Sequence, residues 1–257
     1  MKYYTCIRPD RIGMQIYGCL HSIHWCQINH VNYIHKPLTQ EWENLFNFKE
    51  NFRSDTELPN FFDFLHIKNS NYFYNLKYTS NEHQLEDTSN FISFGKNFRH
   101  KMIEYYRPNI EVSKSNHIIH VCIHIRRGDT LEKQHLQGGI LRFVPDSFIS
   151  RCFDAINLYI KQPCVIHLHS DSDLDLAAIN TYNLNFKTMF KIDPLIAMQD
   201  MISCDVLFRS GVSAFSGVAA FYNTNTIISD MPSNFSHLYK FDNTYTFNEA
   251  PKILQTL

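Results

Sequence analysis

At 257 residues, with 44% apolar and 19% charged side chains, the chain is long enough to bury one large core or two modest ones and too apolar to be disordered. A net charge of −1 excludes a uniformly basic nucleic-acid binder and leaves only a local basic site open. Seven cysteines, odd in number and without a CxxC pair, fit reduced core thiols better than a disulfide framework.

Taken in chain order, residues 2–7 read as a first strand. The polar turn Arg8-Pro9-Asp10-Arg11-Ile12-Gly13-Met14-Gln15 leads into a helix over about 13–28, with Ile16, Leu20, Ile23 and Ile28 on its apolar side. Val31–Ile34 reads as a second strand ended by Pro37, so the chain opens as a βαβ unit. Residues 38–95 are dense in aromatics without a sustained period and predict short, irregular elements, with loops near Leu58-Pro59 and Asn69-Ser70-Asn71. A helix over 98–106 stops before Pro108. The polar stretch 107–116 is the expected boundary between an N-terminal domain, 1–110, and a C-terminal domain, 111–257.

The central segment is His117–Thr130. Its first half is β-branched and nearly free of charge, as a strand buried in a parallel sheet should be, and it runs into Arg126-Arg127-Gly128-Asp129. Side chains alternate along a strand, so only one of the two arginines is expected to face a ligand. A loop over 130–145 with Gly138-Gly139 follows. Asp146 is placed to cap a helix over 147–161, which carries Phe148, Ile149, Cys152, Phe153, Ile156 and Ile160 on one stripe. Cys164–His169 is a strand delivering Ser170-Asp171-Ser172-Asp173. A helix (174–182), a strand (186–190), a helix (194–203) and a strand (206–208) come next. The last of these delivers Arg209 through Ser216 into a helix, and Thr226–Ile228 closes the alternation, which predicts an α/β fold with a parallel sheet.

In such a sheet the carboxyl ends of all strands share one edge. Arg126 or Arg127 there offers a guanidinium fork to phosphate oxygens, and Ser213 and Ser216 at a helix start offer neutral donors. Ionised Asp171 accepts only, which suits a base N–H edge or a ribose hydroxyl. Taken alone, Asp171 and the two serines read as helix N-caps. Together the three strand ends outline a nucleoside diphosphate site. The spacing of His21, His24 and Cys26 on the first helix is too loose to predict zinc.

His124-Ile125-Arg126-Arg127-Gly128-Asp129 resembles the HxRRxD signature of the GDP-fucose-dependent fucosyltransferases, in its α-1,2 version. Ser170-Asp171-Ser172 is similar to the second motif of that superfamily. The run from Asp200-Met201-Ile202-Ser203-Cys204 to Ser213-Ala214-Phe215-Ser216 is similar to the third, and Ile12-Gly13-Met14-Gln15 to its opening Gly-Asn-Gln turn. The resemblance implies a GT-B-like fold of two Rossmann-like domains facing a cleft. It also implies inverting, metal-independent transfer of fucose from GDP-fucose to a glycan acceptor, with no cofactor and no nucleic-acid partner. By the same resemblance Arg126 binds the β-phosphate, and His124 shapes the site. Arg127, Asp171, Ser213, Phe215, Ser216, Gly13 and Gln15 belong to the donor pocket. Asp129, Glu132 and His124 are candidates for the general base, and acceptor choice falls to residues 38–110 and 130–145.

The sequence departs from the pattern at Met14, where the family has asparagine, at Gly211-Val212 and at Thr130. Met14 favours the alternative of a non-catalytic nucleotide- or glycan-binding protein on the same fold, and a different GDP-sugar donor is a further alternative. No apolar run is long enough to cross a bilayer and no signal peptide opens the chain, so the expectation is a cytoplasmic protein without a transmembrane segment.

Overall fold

The computed structural model describes residues 3–5, 11–28, 30, 32–52, 64–66, 75–78, 85–88, 94, 96–107, 117–128, 144–177, 179–210, 213–230 and 241–257, with the backbone alone for 3–5 and the three short segments between 64 and 88. The expected turn at residues 8–10, the loops near 58 and 70, the boundary stretch 108–116 and the loop over 130–143 lie outside these residues. The described residues form two compact units, the first ending at Arg107 and the second starting at His117.

In the first unit, β1 (Tyr3–Thr5) is followed by α1 (Ile12–Ile28) and β2 (Asn32–Tyr33). The strands pair in parallel, as a βαβ unit requires. Next come α2 (Gln40–Phe46), α3 (Phe48–Asn51), β3 (Phe64–His66), β4 (Asn75–Tyr78), β5 (Leu85–Thr88) and α4 (Lys96–Tyr105). The sheet order is β2-β1-β3, and β4 and β5 form a separate antiparallel pair. Ile16, Leu20 and Ile23 are buried on α1, whereas Ile28 at its last position is exposed, because the helix ends before that stripe reaches the core. The aromatics after residue 40 do specify packing. Trp42, Phe46 and Phe48 are buried, with ring centroids 6.1 Å and 5.7 Å apart along the series. Glu43 is buried beneath them and accepts from His35 Nε2 at 2.6 Å and from the N–H groups of Leu38 at 2.6 Å and Lys49 at 2.9 Å.

The second unit contains β6 (Ile119–Ile125), α5 (Ser147–Tyr159), β7 (Cys164–Ser170), β8 (Phe186–Phe190), α6 (Pro194–Ser203), β9 (Val206–Ser210), α7 (Ala214–Tyr222), β10 (Thr226–Asp230), β11 (Thr244–Tyr245) and α8 (Ala250–Leu254). Its six strands are all parallel, in the order β11-β10-β9-β6-β7-β8. Counted from β6, this is the 3-2-1-4-5-6 order of a doubly wound dinucleotide-binding sheet, which reverses direction between β6 and β9. Two expectations are corrected here. Residues 174–182 form turns among the described residues, since Leu174, Leu176 and Ile179 anchor to the core without a helical run. The alternation also continues past Ile228 into β11 and α8, two elements too short to show a period in sequence.

The two faces of this sheet differ. Val121, Ile123 and Ile125 of β6, Ile166 and Leu168 of β7, and Val206 and Phe208 of β9 point to one side. They form a core with the predicted α5 stripe and with Ala250 and Leu254 of α8. The intervening residues include His120, Cys122, His124, His167, His169 and Arg209, a polar group beside Val165 and Leu207 on a face where period-2 patterning ordinarily supplies apolar residues. No described helix is long and apolar enough to cross a membrane.

Candidate functional site

The reversal between β6 and β9 brings the Arg126 turn and the start of α7 to one edge, flanked by the end of β7. His124 is the next-to-last residue of β6 and pairs in register with His169 on one side and Arg209 on the other. Burial, with the positive neighbours His169, Arg209 and Arg126, pushes its pKa down to about 3. The ring is neutral near pH 7, and its Nδ1 is buried without a hydrogen-bond partner. The ring centroid of Phe215, on α7, lies 5.9 Å away.

Arg126 and Arg127 diverge, as strand alternation predicts. Arg126 is half-buried. Arg127 turns inward and is buried, ion-paired through Nη2 with Asp146 at the start of α5. Asp146 occupies the N-cap position expected of it, but its side chain makes no cap hydrogen bond. Its carboxylate serves Arg127, so Arg127 links the loop to the fold and its charge is already matched.

Asp171 is exposed and is followed by turns, with no helix start directly after it among the described residues, so it does not cap one there. Its Oδ1 accepts the backbone N–H of Arg127 at 2.8 Å, and a Cβ added to Gly128 would stand 2.8 Å from its Cγ. Only glycine at 128 lets the carboxylate close over the turn. The second strand end therefore braces the loop that carries Arg126.

At the third strand end Ser213 is the N-cap residue of α7, 1% exposed, and its side chain makes no cap bond. Its Oγ is buried without a hydrogen-bond partner. Ser216 is fully buried and donates to the Ser213 carbonyl at 3.4 Å. Arg209, also fully buried, reaches the same carbonyl through Nη2 at 3.4 Å. A buried hydroxyl and a buried imidazole nitrogen without partners each cost free energy unless a ligand satisfies them. Here they share an edge with Arg126 and with a helix N-terminus that favours anions.

Sequence reasoning passed over Arg209 and His169. The available signal was a charged residue closing the apolar run Val206-Leu207-Phe208, and histidines alternating with Ile166 and Leu168. Asp129 and Glu132 lie outside the described residues. Gly13 and Gln15 lie in the first turn of α1, in the other unit, so Gly13 is part of a helix and not of a turn before it.

The low pKa of His124 sets an acid sensitivity. The unfolded chain takes up a proton at this ring below its ordinary value of about 6.5, and the folded protein does so only near 3. More protons bound in the unfolded state make stability fall as pH drops through that window. Urea denaturation across the window is expected to show this loss, and His124→Gln to reduce its slope. An unchanged slope would mean that the folded protein hydrates and protonates His124 readily.

No protein-family profile matches the chain, and no curated protein does. Among solved structures it is similar to the NodZ alpha-1,6-fucosyltransferase soaked with GDP-fucose, at 11% identity and a TM-score of 0.41, over 86% of this chain and 92% of that one. It is also similar to POFUT1 in complex with GDP, at 13% identity and a TM-score of 0.34, over 90% of this chain and 73% of that one. Overlap at that level leaves function to the site residues themselves.

Proposed function

We propose that the chain is a glycosyltransferase that moves fucose from GDP-fucose to a glycan hydroxyl, by inversion and without a catalytic metal. The observation that supports this reading is the sheet reversal itself, whose edge carries Arg126, His124 with its buried Nδ1, and the buried Ser213 hydroxyl at the N-terminus of α7. The order of motifs along the sequence supports the choice of GDP-fucose over other nucleotide sugars.

In this reading the diphosphate lies across the start of α7. Arg126 and Ser213 donate to its oxygens, and Phe215 and Ser216 shape the pocket floor. The acceptor oxygen attacks the anomeric carbon from the face opposite GDP, and the bond from that carbon to the β-phosphate oxygen breaks. Its electron pair leaves with GDP, where the Arg126 guanidinium offsets the developing charge. The acceptor proton goes to a base, for which Asp129 and Glu132 remain the candidates. His124, neutral at pH 7, is the third candidate and in this reading also serves as a hydrogen-bonding group. In this reading residues 1–110 serve the acceptor.

The alternative, a binding protein that has lost turnover, rests on Met14. Incubation of GDP-fucose with a panel of glycan acceptors separates the two. Release of GDP coupled to a fucosylated product is expected, whereas tight GDP binding with no sugar released from any donor would establish the binding protein.

A further inference from the structure

The buried polar face of the second sheet carries a cluster that the donor site does not use. His120 and Cys122 are two residues apart on β6 and share a face. His167 sits on β7 directly opposite Cys122, and Asp200 on α6 reaches down onto all three. One donor atom from each of these four residues lies within 4.8 Å of the other three. His120 Nε2 is 2.9 Å from His167 Nδ1 and 3.3 Å from Asp200 Oδ1. Asp200 Oδ2 is 2.7 Å from His167 Nδ1 and 3.5 Å from Cys122 Sγ. Among the described residues this is the one grouping able to hold a metal. The His21, His24 and Cys26 spacing on α1 is instead taken up by packing, with His21 and His24 against the rings of Phe94 and Phe98.

We propose that His120, Cys122, His167 and Asp200 bind one divalent transition-metal ion, zinc by their chemistry, which pins α6 to the sheet. Two imidazoles, a thiolate and a carboxylate are all ligand types that zinc takes, and four of them suffice to close a tetrahedral site. Zinc bonds of about 2.0–2.3 Å place neighbouring ligand atoms roughly 3.3–3.7 Å apart. The four separations given above run from 2.7 to 3.5 Å, and all donor atoms lie within 4.8 Å of one another, so occupancy requires the side chains to adjust around the ion. Two imidazole nitrogens converging on each other and on one carboxylate form a crowded hydrogen-bond arrangement but a natural ligand shell.

The surrounding residues support the same assignment. His169 Nε2 lies 2.6 Å from Asp200 Oδ2, where it orients the carboxylate from outside the ligand set. The backbone N–H of His120 donates to Asp205 Oδ2 at 2.8 Å, which fixes the start of β6. Burial pushes the Cys122 thiol pKa up, so binding must release its proton to solvent, and affinity should fall as pH drops. The cluster is separate from the donor edge. Cys122 precedes Arg126 by four residues, about 13 Å along the strand, and with all four positions taken by protein ligands the ion keeps no open position for a substrate, so its role is structural.

The test uses the full chain. Elemental analysis of purified protein is expected to give one zinc per chain. Adding cobalt(II) to protein stripped of metal should produce a thiolate-to-cobalt charge-transfer band, and zinc should displace it while raising the thermal midpoint. Cys122→Ser should abolish the band and Cys26→Ser should leave it intact. If Cys122→Ser fails to fold, loss of cobalt binding in His167→Gln serves the same purpose. Absence of bound metal together with no rise in thermal midpoint on adding zinc would overturn the proposal. So would a cobalt band that survives Cys122→Ser, or that disappears in Cys26→Ser.

Discussion

Arg126→Lys is expected to lower the rate of sugar transfer by about 10²-fold or more, the effect seen when one preorganised donor to a developing oxyanion is removed. The expectation rests on geometry more than on charge, which the substitution conserves. A guanidinium presents a planar fork that holds two phosphate oxygens at once, whereas an ammonium is a hydrated point charge on a flexible stem. Arg127 cannot take over, because it is buried in an ion pair with Asp146 on the other side of the loop. Steady-state turnover with GDP-fucose, together with GDP affinity, checks the claim. Near-normal turnover would place the diphosphate elsewhere, whereas a loss confined to GDP affinity would make Arg126 a binding group only.

The largest expected effect on stability comes from Asp200→Ala, at roughly 3–5 kcal/mol, the cost of removing one partner from a buried charge cluster. Asp200 is buried beneath α6 and faces His120, His167 and His169. Alanine would leave all three rings without that acceptor, two of them buried and His167 partly so. Burial alone would raise the Asp200 pKa, but hydrogen bonds from His167 and His169 and the charges of His169 and His120 outweigh it and hold the carboxyl well below its usual range. A carboxyl lowered in this way contributes stability that is fully present above its unfolded value of about 3.9 and is lost as pH falls through the folded one. Metal-free wild type should therefore lose stability below about pH 4 by this route, and Asp200→Ala should not. Urea denaturation at neutral and acid pH measures both. A variant as stable as the wild type at neutral pH would show that the histidines find other partners.

Much of the second unit is legible in the sequence, for a physical reason. Its strands are short apolar runs bounded by turn residues, and α5 and α6 carry clear signals, the stripe from Phe148 to Ile156 and the Asp193-Pro194 start. The site edge was readable because a parallel sheet brings all its strand ends to one side. Period-2 patterning could not show that the sheet face containing His120, Cys122, His167 and His169 is closed over by Asp200 of α6. Those contacts join residues 31, 33 and 78 positions apart and leave no local signal. The role of Asp171 was hidden for a similar reason. Its acceptor capacity was apparent, but its bond to the Arg127 N–H depends on the register of β6 with β7. In the first unit, the aromatic-rich stretch lacks a period because its rings pack against one another between short elements, and do not line one face of a long one.

The central claim is that a guanosine diphosphate seats at the reversal between β6 and β9. Calorimetric titration of the purified protein with GDP, GDP-fucose and UDP-galactose, without added metal, tests it most directly. The account predicts binding of GDP and GDP-fucose but not UDP-galactose, with GDP binding strongly weakened in Arg126→Ala. Failure of the wild-type protein to bind GDP, or full GDP affinity in Arg126→Ala, would contradict it.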